Sequence, residues 1–110
     1  MKRLSREQVV RIAGEARREL RQLYGPRPKA VYLYGSYARG DDTEDSDVDI
    51  AAVLDRIEDR LEERDRVSDL QCELTLKYGP PVLIFPVDAT DLADGRLQLH
   101  RAIHREGLAV

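Results

Sequence analysis

Two aspartates, one residue apart at the head of an apolar run, are the strongest chemical signal in the sequence. Asp47 and Asp49 stand at the start of the run Val48–Leu54. Because side chains alternate faces along a β-strand, residues i and i+2 project to the same side. The two carboxylates would then offer hard oxygen ligands to one divalent cation such as Mg²⁺. A carboxylate within an apolar strand is costly unless it is paired or metal-bound, so Asp49 in particular indicates a metal site.

A glycine–serine turn lies a short polar segment before the two aspartates. Gly35 and Ser36 directly follow the apolar run Ala30–Tyr34. Glycine has no Cβ, so a bulky anion can approach the backbone closely at Gly35. Ser36 offers a hydroxyl and could cap a short helical turn running through Arg39, whose free N–H groups would point at the anion. Such pairs also mark ordinary turns, but beside two carboxylates this one predicts a phosphate site.

Composition predicts one small cytoplasmic domain covering residues 1–110. The chain is 42% apolar, enough for a compact core, and its net charge of −3 argues against general nucleic-acid binding. Cys72 is the only cysteine, which excludes an internal disulfide and a cysteine metal site. No segment resembles a signal peptide or approaches membrane-spanning length. We therefore expect neither a membrane nor direct contact with nucleic acid.

Hydrophobic spacing and Gly/Pro breaks predict the elements that must position the motif. Ser5 and Gln8 fit a capping box that opens a helix, and its apolar stripe reaches Leu23. The predicted elements that follow are strands at Ala30–Tyr34 and Val48–Leu54, a helix from Asp55 to about Tyr78, a strand at Val82–Val87, a helix at Leu97–Arg105 and a last strand at Leu108–Val110. The first two strands are expected to pair, and Pro86 should lie at a sheet edge. This order predicts a small mixed sheet packed with helices, an α/β or α+β fold.

Several side chains outside the motif receive structural interpretations. In the long helix, Leu61 is placed on the inner face and Glu63 on the polar face. Cys72 is expected to be a small core residue. His100 and His104 lie one helical turn apart, a spacing that can bind a metal. A surface or partner-facing role is preferred for them, because no third ligand lies nearby in the sequence.

The motif resembles the signature of the nucleotidyltransferase superfamily, which has the polymerase-β-like fold. The residues that carry the resemblance are Gly35-Ser36, Gly40 and Ser46-Asp47-Val48-Asp49. The small size is similar to that of the minimal nucleotidyltransferases, or MNT proteins, of bacteria and archaea. The resemblance implies that Gly35 and Ser36 contact the β- and γ-phosphates of a nucleotide. It also implies that Asp47 and Asp49 are the catalytic ligands of Mg²⁺.

The resemblance further implies a reaction and a partner. A hydroxyl would attack the α-phosphate of ATP and release pyrophosphate, with the metal neutralising charge. MNT proteins often pair with a HEPN protein, a ribonuclease toxin, and some transfer AMP to a toxin tyrosine. The implied function is thus transfer of AMP to a HEPN partner by its antitoxin. Arg39 either assists a phosphate or is a solvated arginine, and the base preference and a homo-oligomer stay open.

One carboxylate of the family pattern is missing. Active members usually carry a third acid on the next strand, which here would fall near Leu83. Asp88 lies at the far end of that strand and is better explained as a cap, and Glu73 on the preceding helix is a weaker substitute. The alternative is therefore a catalytically impaired nucleotide-binding antitoxin that neutralises its partner by direct contact. The aspartate pair favours the enzyme, and Leu83 favours the alternative.

Overall fold

The computed structural model describes residues 3–110, and over this range five helices and four strands follow one another. They are α1 (Arg6–Tyr24), β1 (Pro28–Tyr34), α2 (Ser36–Arg39), β2 (Val48–Leu54), α3 (Arg60–Tyr78), β3 (Val82–Asp88), α4 (Ala89–Asp94), α5 (Gln98–Glu106) and β4 (Leu108–Ala109). The sheet order is β3-β2-β1-β4. Strand β1 is antiparallel to both β2 and β4, whereas β3 is parallel to β2. The predicted small mixed sheet packed with helices is confirmed.

Helix α1 begins where the sequence predicts. The backbone N–H of Gln8 donates to Ser5 Oγ at 3.2 Å, and the Ser5 N–H donates to Gln8 Oε1 at 2.7 Å, which completes the capping box. One buried stripe faces the sheet, made of Val9, Ile12, Ala13, Ala16, Leu20 and Tyr24. Leu23, expected on that stripe, is 42% exposed, because Tyr24 takes the inward position in the last turn.

Strand β2 lies in the middle of the protein, with a helical layer on each side. One core cluster joins α1 and α3 to the β2 side chains Val48, Ile50, Ala52 and Leu54. A second cluster joins α4 and α5 to Ala51 and Val53. Every residue of β2 is buried except Asp49. The polar exception in the most buried strand of the fold is therefore the residue that the sequence selects for chemistry.

Helix α3 departs from the prediction at its start. It begins after Asp59, whose carboxylate accepts the N–H groups of the first turn, and not after Asp55. The inward stripe is then Glu63, Val67, Leu70 and Leu74. Leu61 falls outside this stripe and is 73% exposed, so its predicted inner position is wrong. Glu63 was placed on the polar face but is buried, because Arg27 donates to its carboxylate at 2.6 Å.

Three further expectations can be compared with the fold. Strand β3 contains Pro86 and forms one edge of the sheet, as predicted. Cys72 is exposed on α3 and is not a core residue. His100 is buried and accepts the N–H of Leu97 at 3.1 Å, so it fastens the start of α5 and does not face a partner. Within residues 3–110, no helix combines the length and apolar character needed to cross a bilayer.

Candidate active site

The pairing of β1 with β2 brings the two halves of the motif together. The antiparallel register places Tyr34, the last residue of β1, opposite Asp49. Gly35 follows β1 directly, and α2 begins at Ser36. Asp47 is the residue before β2. The glycine–serine turn and both aspartates therefore lie at the same end of the central strand pair, although a 10-residue segment separates Ser36 from Asp47 in the sequence.

Gly35 is in direct contact with the Asp49 carboxylate. A Cβ built on Gly35 would overlap Asp49 Oδ2 and come within 3.2 Å of Asp49 Cγ. The φ of Gly35 is +82°, a conformation that favours glycine over other residues. The sequence predicts Ser36 as the cap of α2. In the structure Gly35 is the N-cap, and Ser36 is the first residue of the helix. Only glycine allows the turn to approach the carboxylate this closely.

Asp49 carries the most perturbed carboxylate of the motif. Burial is the main cause that raises its pKa to about 6, and the negative charge of Asp47 is the second. The Arg39 guanidinium opposes this shift, and Glu106 adds to it. Asp47 and Asp49 therefore lie within electrostatic reach of one another in a partly desolvated place. A divalent cation between them would offset both effects.

The aspartate pair suits a Mg²⁺ ion that arrives with a polyphosphate. Within residues 3–110, no group of three or more His, Cys, Asp or Glu side chains is arranged to hold a metal. Mg²⁺ does not need such a group, because it often takes one or two protein carboxylates and completes its shell with water and substrate phosphates. The two adjacent carboxylates, whose mutual repulsion raises the Asp49 pKa, fit that requirement.

The position expected for a third acid holds Leu83. Strand β3 runs parallel to β2, and its register places Leu83 beside Asp49. An acid there would join the aspartate pair on the same face of the sheet. Glu73, a weaker substitute by sequence, is exposed on α3 and lines a groove with Glu15 and Lys77 between α3 and α1. It does not contribute to the site.

Asp88 is a structural residue. It pairs with Leu54 at the opposite end of β2 from Asp49. Its carboxylate accepts the backbone N–H groups of Ile57, Thr90 and Asp91 at 2.8 to 3.1 Å. These bonds hold the pKa of Asp88 below its ordinary value. The preferred interpretation of Asp88 as a cap is confirmed, since it is the N-cap of α4.

The structure places Glu106 at the candidate site, although no sequence pattern points to this residue. Its Oε2 accepts the Gly35 N–H at 2.7 Å and a hydrogen from Arg39 Nη1 at 2.8 Å. Arg39 Nε also donates to Asp41 at 3.1 Å, so Arg39 is held between two carboxylates and is not a free surface cation. Glu106 lies 71 residues from Gly35, at the charged end of α5. No local pattern marks it, because only the fold brings the two together.

Comparison with known proteins identifies the family. Residues 14–98 match the sequence model of a family described as "Nucleotidyltransferase domain". The chain belongs to this nucleotidyltransferase family. A relative from Methanocaldococcus jannaschii, provisionally named a protein adenylyltransferase, is 40% identical over 90 residues, which are 80% of this chain and 83% of the relative. A second protein of that organism with the same provisional name is 30% identical over 80 residues, which are 73% of this chain and 78% of its own length.

Solved structures share the nucleotidyltransferase fold. A provisionally named nucleotidyltransferase from Sulfolobus solfataricus superposes with a TM-score of 0.55 at 18% identity, covering 99% of this chain and 89% of that one. A chain of a toxin–antitoxin structure with AMP-PNP gives 0.59 at 23% identity, covering 96% and 72%. A chain of the complex between the tri-AMPylated Shewanella oneidensis HEPN toxin and its MNT antitoxin gives 0.57 at 18% identity, covering 92% and 70%. At these identities the likeness establishes the fold.

Proposed function

We propose that this nucleotidyltransferase transfers AMP from Mg-ATP to a hydroxyl of a partner protein. The observation that carries the proposal is the contact of Gly35 with Asp49, because it brings the proposed phosphate-binding turn against a proposed metal ligand. The relatives named as protein adenylyltransferases support a protein as the acceptor. The structural neighbour with a tri-AMPylated HEPN toxin and an MNT antitoxin supports a HEPN toxin as the partner of this chain, and the toxin–antitoxin structure with AMP-PNP supports an antitoxin role for it.

In this proposal the motif residues have separate roles. Gly35 and Ser36 bind the β- and γ-phosphates, Arg39 neutralises phosphate charge, and Asp47 and Asp49 hold Mg²⁺. When bound, Mg²⁺ supplies charge neutralisation and alignment of the phosphates. The acceptor hydroxyl oxygen forms a bond to the α-phosphorus and releases its proton to water, the bond to the pyrophosphate oxygen breaks, and pyrophosphate leaves. The residues of the chain contribute mainly position and electrostatic stabilisation.

Mass spectrometry of the partner tests this function. The protein is incubated with Mg-ATP and with the purified product of the neighbouring gene, and the intact mass of that product is followed. We expect the addition of AMP with the wild type and its loss in Asp47→Asn/Asp49→Asn, because the variant removes both metal ligands. The control is Asp45→Asn, an exposed acid of the same loop, which should keep full activity. Absence of any adduct with Mg²⁺ or Mn²⁺ would contradict the proposal.

A second candidate function is toxin neutralisation by contact alone. The observation in its favour is Leu83, which stands beside Asp49 where an acid is usual in active members of the family. The same double variant separates the two functions. Protection against the toxin that persists in Asp47→Asn/Asp49→Asn, with no AMP added by the wild type, selects the contact-only antitoxin. Protection that is lost together with the AMP adduct selects the enzyme.

A further inference from the structure

The Glu106 carboxylate occupies hydrogen-bond donors of the glycine–serine turn. It takes the Gly35 N–H at 2.7 Å and one N–H of the Arg39 guanidinium at 2.8 Å. A backbone N–H carries a single hydrogen, so Gly35 cannot fully serve both Glu106 and a phosphate oxygen. Both acceptors are anionic oxygens and compete for the same kind of charge-assisted hydrogen bond. The side chain of Glu106 therefore sits in the turn in the way a bound phosphate would.

The fold holds this carboxylate in place. The Glu106 side chain is only 9% exposed, although its residue closes an amphipathic surface helix. Gly107 is the C-cap of α5 and has extended backbone, and an added Cβ there would come within 2.5 Å of the Ile103 carbonyl oxygen. Directly after Gly107, Leu108 pairs with Leu33 of β1. Glu106 is thus anchored on both sides, by α5 and by β4.

The charges around Glu106 oppose a shared occupancy with a nucleotide. Glu106 already adds to the negative field that acts on Asp49, together with Asp47. A triphosphate brings several further negative charges to the same turn, and like charges at close range repel strongly in a partly buried place. Arg39 is the cation that the two anions would have to share. Simultaneous occupancy of the turn by both anions is therefore electrostatically unfavourable.

We propose that Glu106 is a built-in competitor of the nucleotide: its carboxylate fills the phosphate-binding turn and must be displaced when a polyphosphate binds. The inference rests on the proposed function, since it requires that Gly35 and Arg39 bind phosphate. It deepens that function by naming a residue that sets the affinity of the site. In the free protein the Glu106 carboxylate accepts hydrogen bonds from both Gly35 and Arg39. When a polyphosphate binds, its oxygens replace the carboxylate at these donors.

Isothermal titration with Mg-tripolyphosphate and with Mg-AMP-PNP measures this competition. Glu106→Gln keeps the size of the side chain and removes its charge. We expect its dissociation constants for both ligands to be about tenfold lower than those of the wild type, because a charge-assisted competitor is lost. The matched control is Asp41→Asn, which removes the other carboxylate from Arg39 but leaves the Gly35 N–H untouched. Its dissociation constants should change by less than about twofold, as for other exposed ion pairs.

Each outcome of the titration either supports or overturns the inference about Glu106. Unchanged or weaker binding in Glu106→Gln would overturn the inference, as would equal tightening in both variants, which would show a general charge effect. Binding that appears only in Glu106→Gln supports it. Absence of binding in the wild type and in both variants would overturn the competitor and the proposed function together. Tighter binding in Glu106→Gln without any AMP transfer would keep the competitor and remove only the transferase function.

The Gly35 amide signal gives a readout that does not depend on affinity. In a ¹⁵N–¹H spectrum, the wild-type amide should shift when tripolyphosphate replaces the carboxylate. Glu106→Gln should shift the same signal before any ligand is added, and Asp41→Asn should leave it in place. A Gly35 signal that does not respond to saturating tripolyphosphate would contradict the exchange of anions. Unfolding curves of both variants verify that they are folded.

Discussion

At the residue scale, the buried Asp49 carboxylate destabilises the fold. Burial and the nearby Asp47 raise its pKa from an ordinary 3.8 to about 6. Between these two pH values the folded protein binds more protons than the unfolded chain, so the free energy of unfolding falls as pH rises. Above about pH 6 the ionised carboxylate imposes its full penalty on the metal-free protein.

Removing this charge should therefore stabilise the protein, but only where the carboxylate is ionised. In urea unfolding with EDTA, we expect Asp49→Asn to gain about 1–2 kcal/mol near pH 8, a figure reduced for the partial exposure of the group. Near pH 4.5, only a little above the ordinary pKa of 3.8, most of the penalty has not yet developed, and the gain should fall to about a third of its value at pH 8. The exposed Asp45→Asn serves as control and should show no such difference. An equal gain at both pH values would refute the assigned cause.

Gly35 and Gly40 offer a matched test of the close approach to Asp49. Their φ angles are +82° and +83°, but an added Cβ meets the Asp49 carboxylate only at Gly35 and open space at Gly40. We expect Gly40→Ala to cost about 1 kcal/mol from backbone strain alone. Gly35→Ala should cost at least about 1 kcal/mol more, because the overlap and its ψ of −160° add to the strain. Thermal unfolding of both variants measures the difference, and equal costs would contradict it.

The site residues show which parts of the candidate site local sequence patterns can predict. Asp47, Asp49 and Gly35 are selected by the sequence because each depends on a short pattern, an i/i+2 pair on a strand and a glycine after an apolar run. That they lie together also follows, since neighbouring strands along a chain usually pair. Glu106 cannot be selected in this way. Its position depends on the end of α5 at Gly107 and on a contact across 71 residues, which no spacing encodes.

At the element scale, the buried ion pair of Glu63 with Arg27 fastens the start of α3 to the segment between α1 and β1. The Glu63 side chain is 7% exposed and Arg27 approaches it to 2.6 Å. We expect Glu63→Ala to lower the free energy of unfolding by about 2–3 kcal/mol, because a partly buried Arg27 loses its shortest ion pair and retains the longer contact with Asp55 at 3.7 Å. Glu62→Ala, which breaks the exposed pair with Arg66, should cost less than about 0.5 kcal/mol. Urea titration of both variants measures the two losses in the free energy of unfolding. Similar losses would refute the distinction between the buried and the exposed ion pair.

The start of α3 shows why element boundaries escape the sequence. Asp55 and Asp59 are both sound N-caps, four residues apart, and propensity does not separate them. The fold selects Asp59 because residues 55–58 are needed to leave the sheet, with the Asp55 N–H still bonded to the Arg27 carbonyl. Glu63 was misplaced for a related reason. A sequence pattern classes glutamate as solvent-facing, and only the tertiary position of Arg27 makes its burial tolerable.

At the scale of the whole molecule, the two helical layers that pack on the sheet bury hydrophobic clusters of unequal size. Among the described residues, seventeen buried side chains form the cluster beneath α1 and α3, and six form the cluster beneath α4 and α5. Less buried apolar surface holds α5, and with it the Glu106 carboxylate, against the sheet. Local opening draws on the least stable part of a fold. The layer that holds Glu106 against the glycine–serine turn is therefore the one that should open first.

Hydrogen exchange read by mass spectrometry tests this order of opening. Ile103 is 4% exposed and anchors α5 in the smaller cluster. We expect Ile103→Ala to weaken that anchor by about 2–4 kcal/mol and to speed exchange in residues 97–110 well beyond that in α3. Leu76→Ala, on α3 and 82% exposed in the wild type, should change neither region. If Ile103→Ala speeds exchange equally in both layers, the protein opens as one unit. Glu106 would then leave the turn by rotating its side chain alone, because α5 would have no separate opening to carry it away.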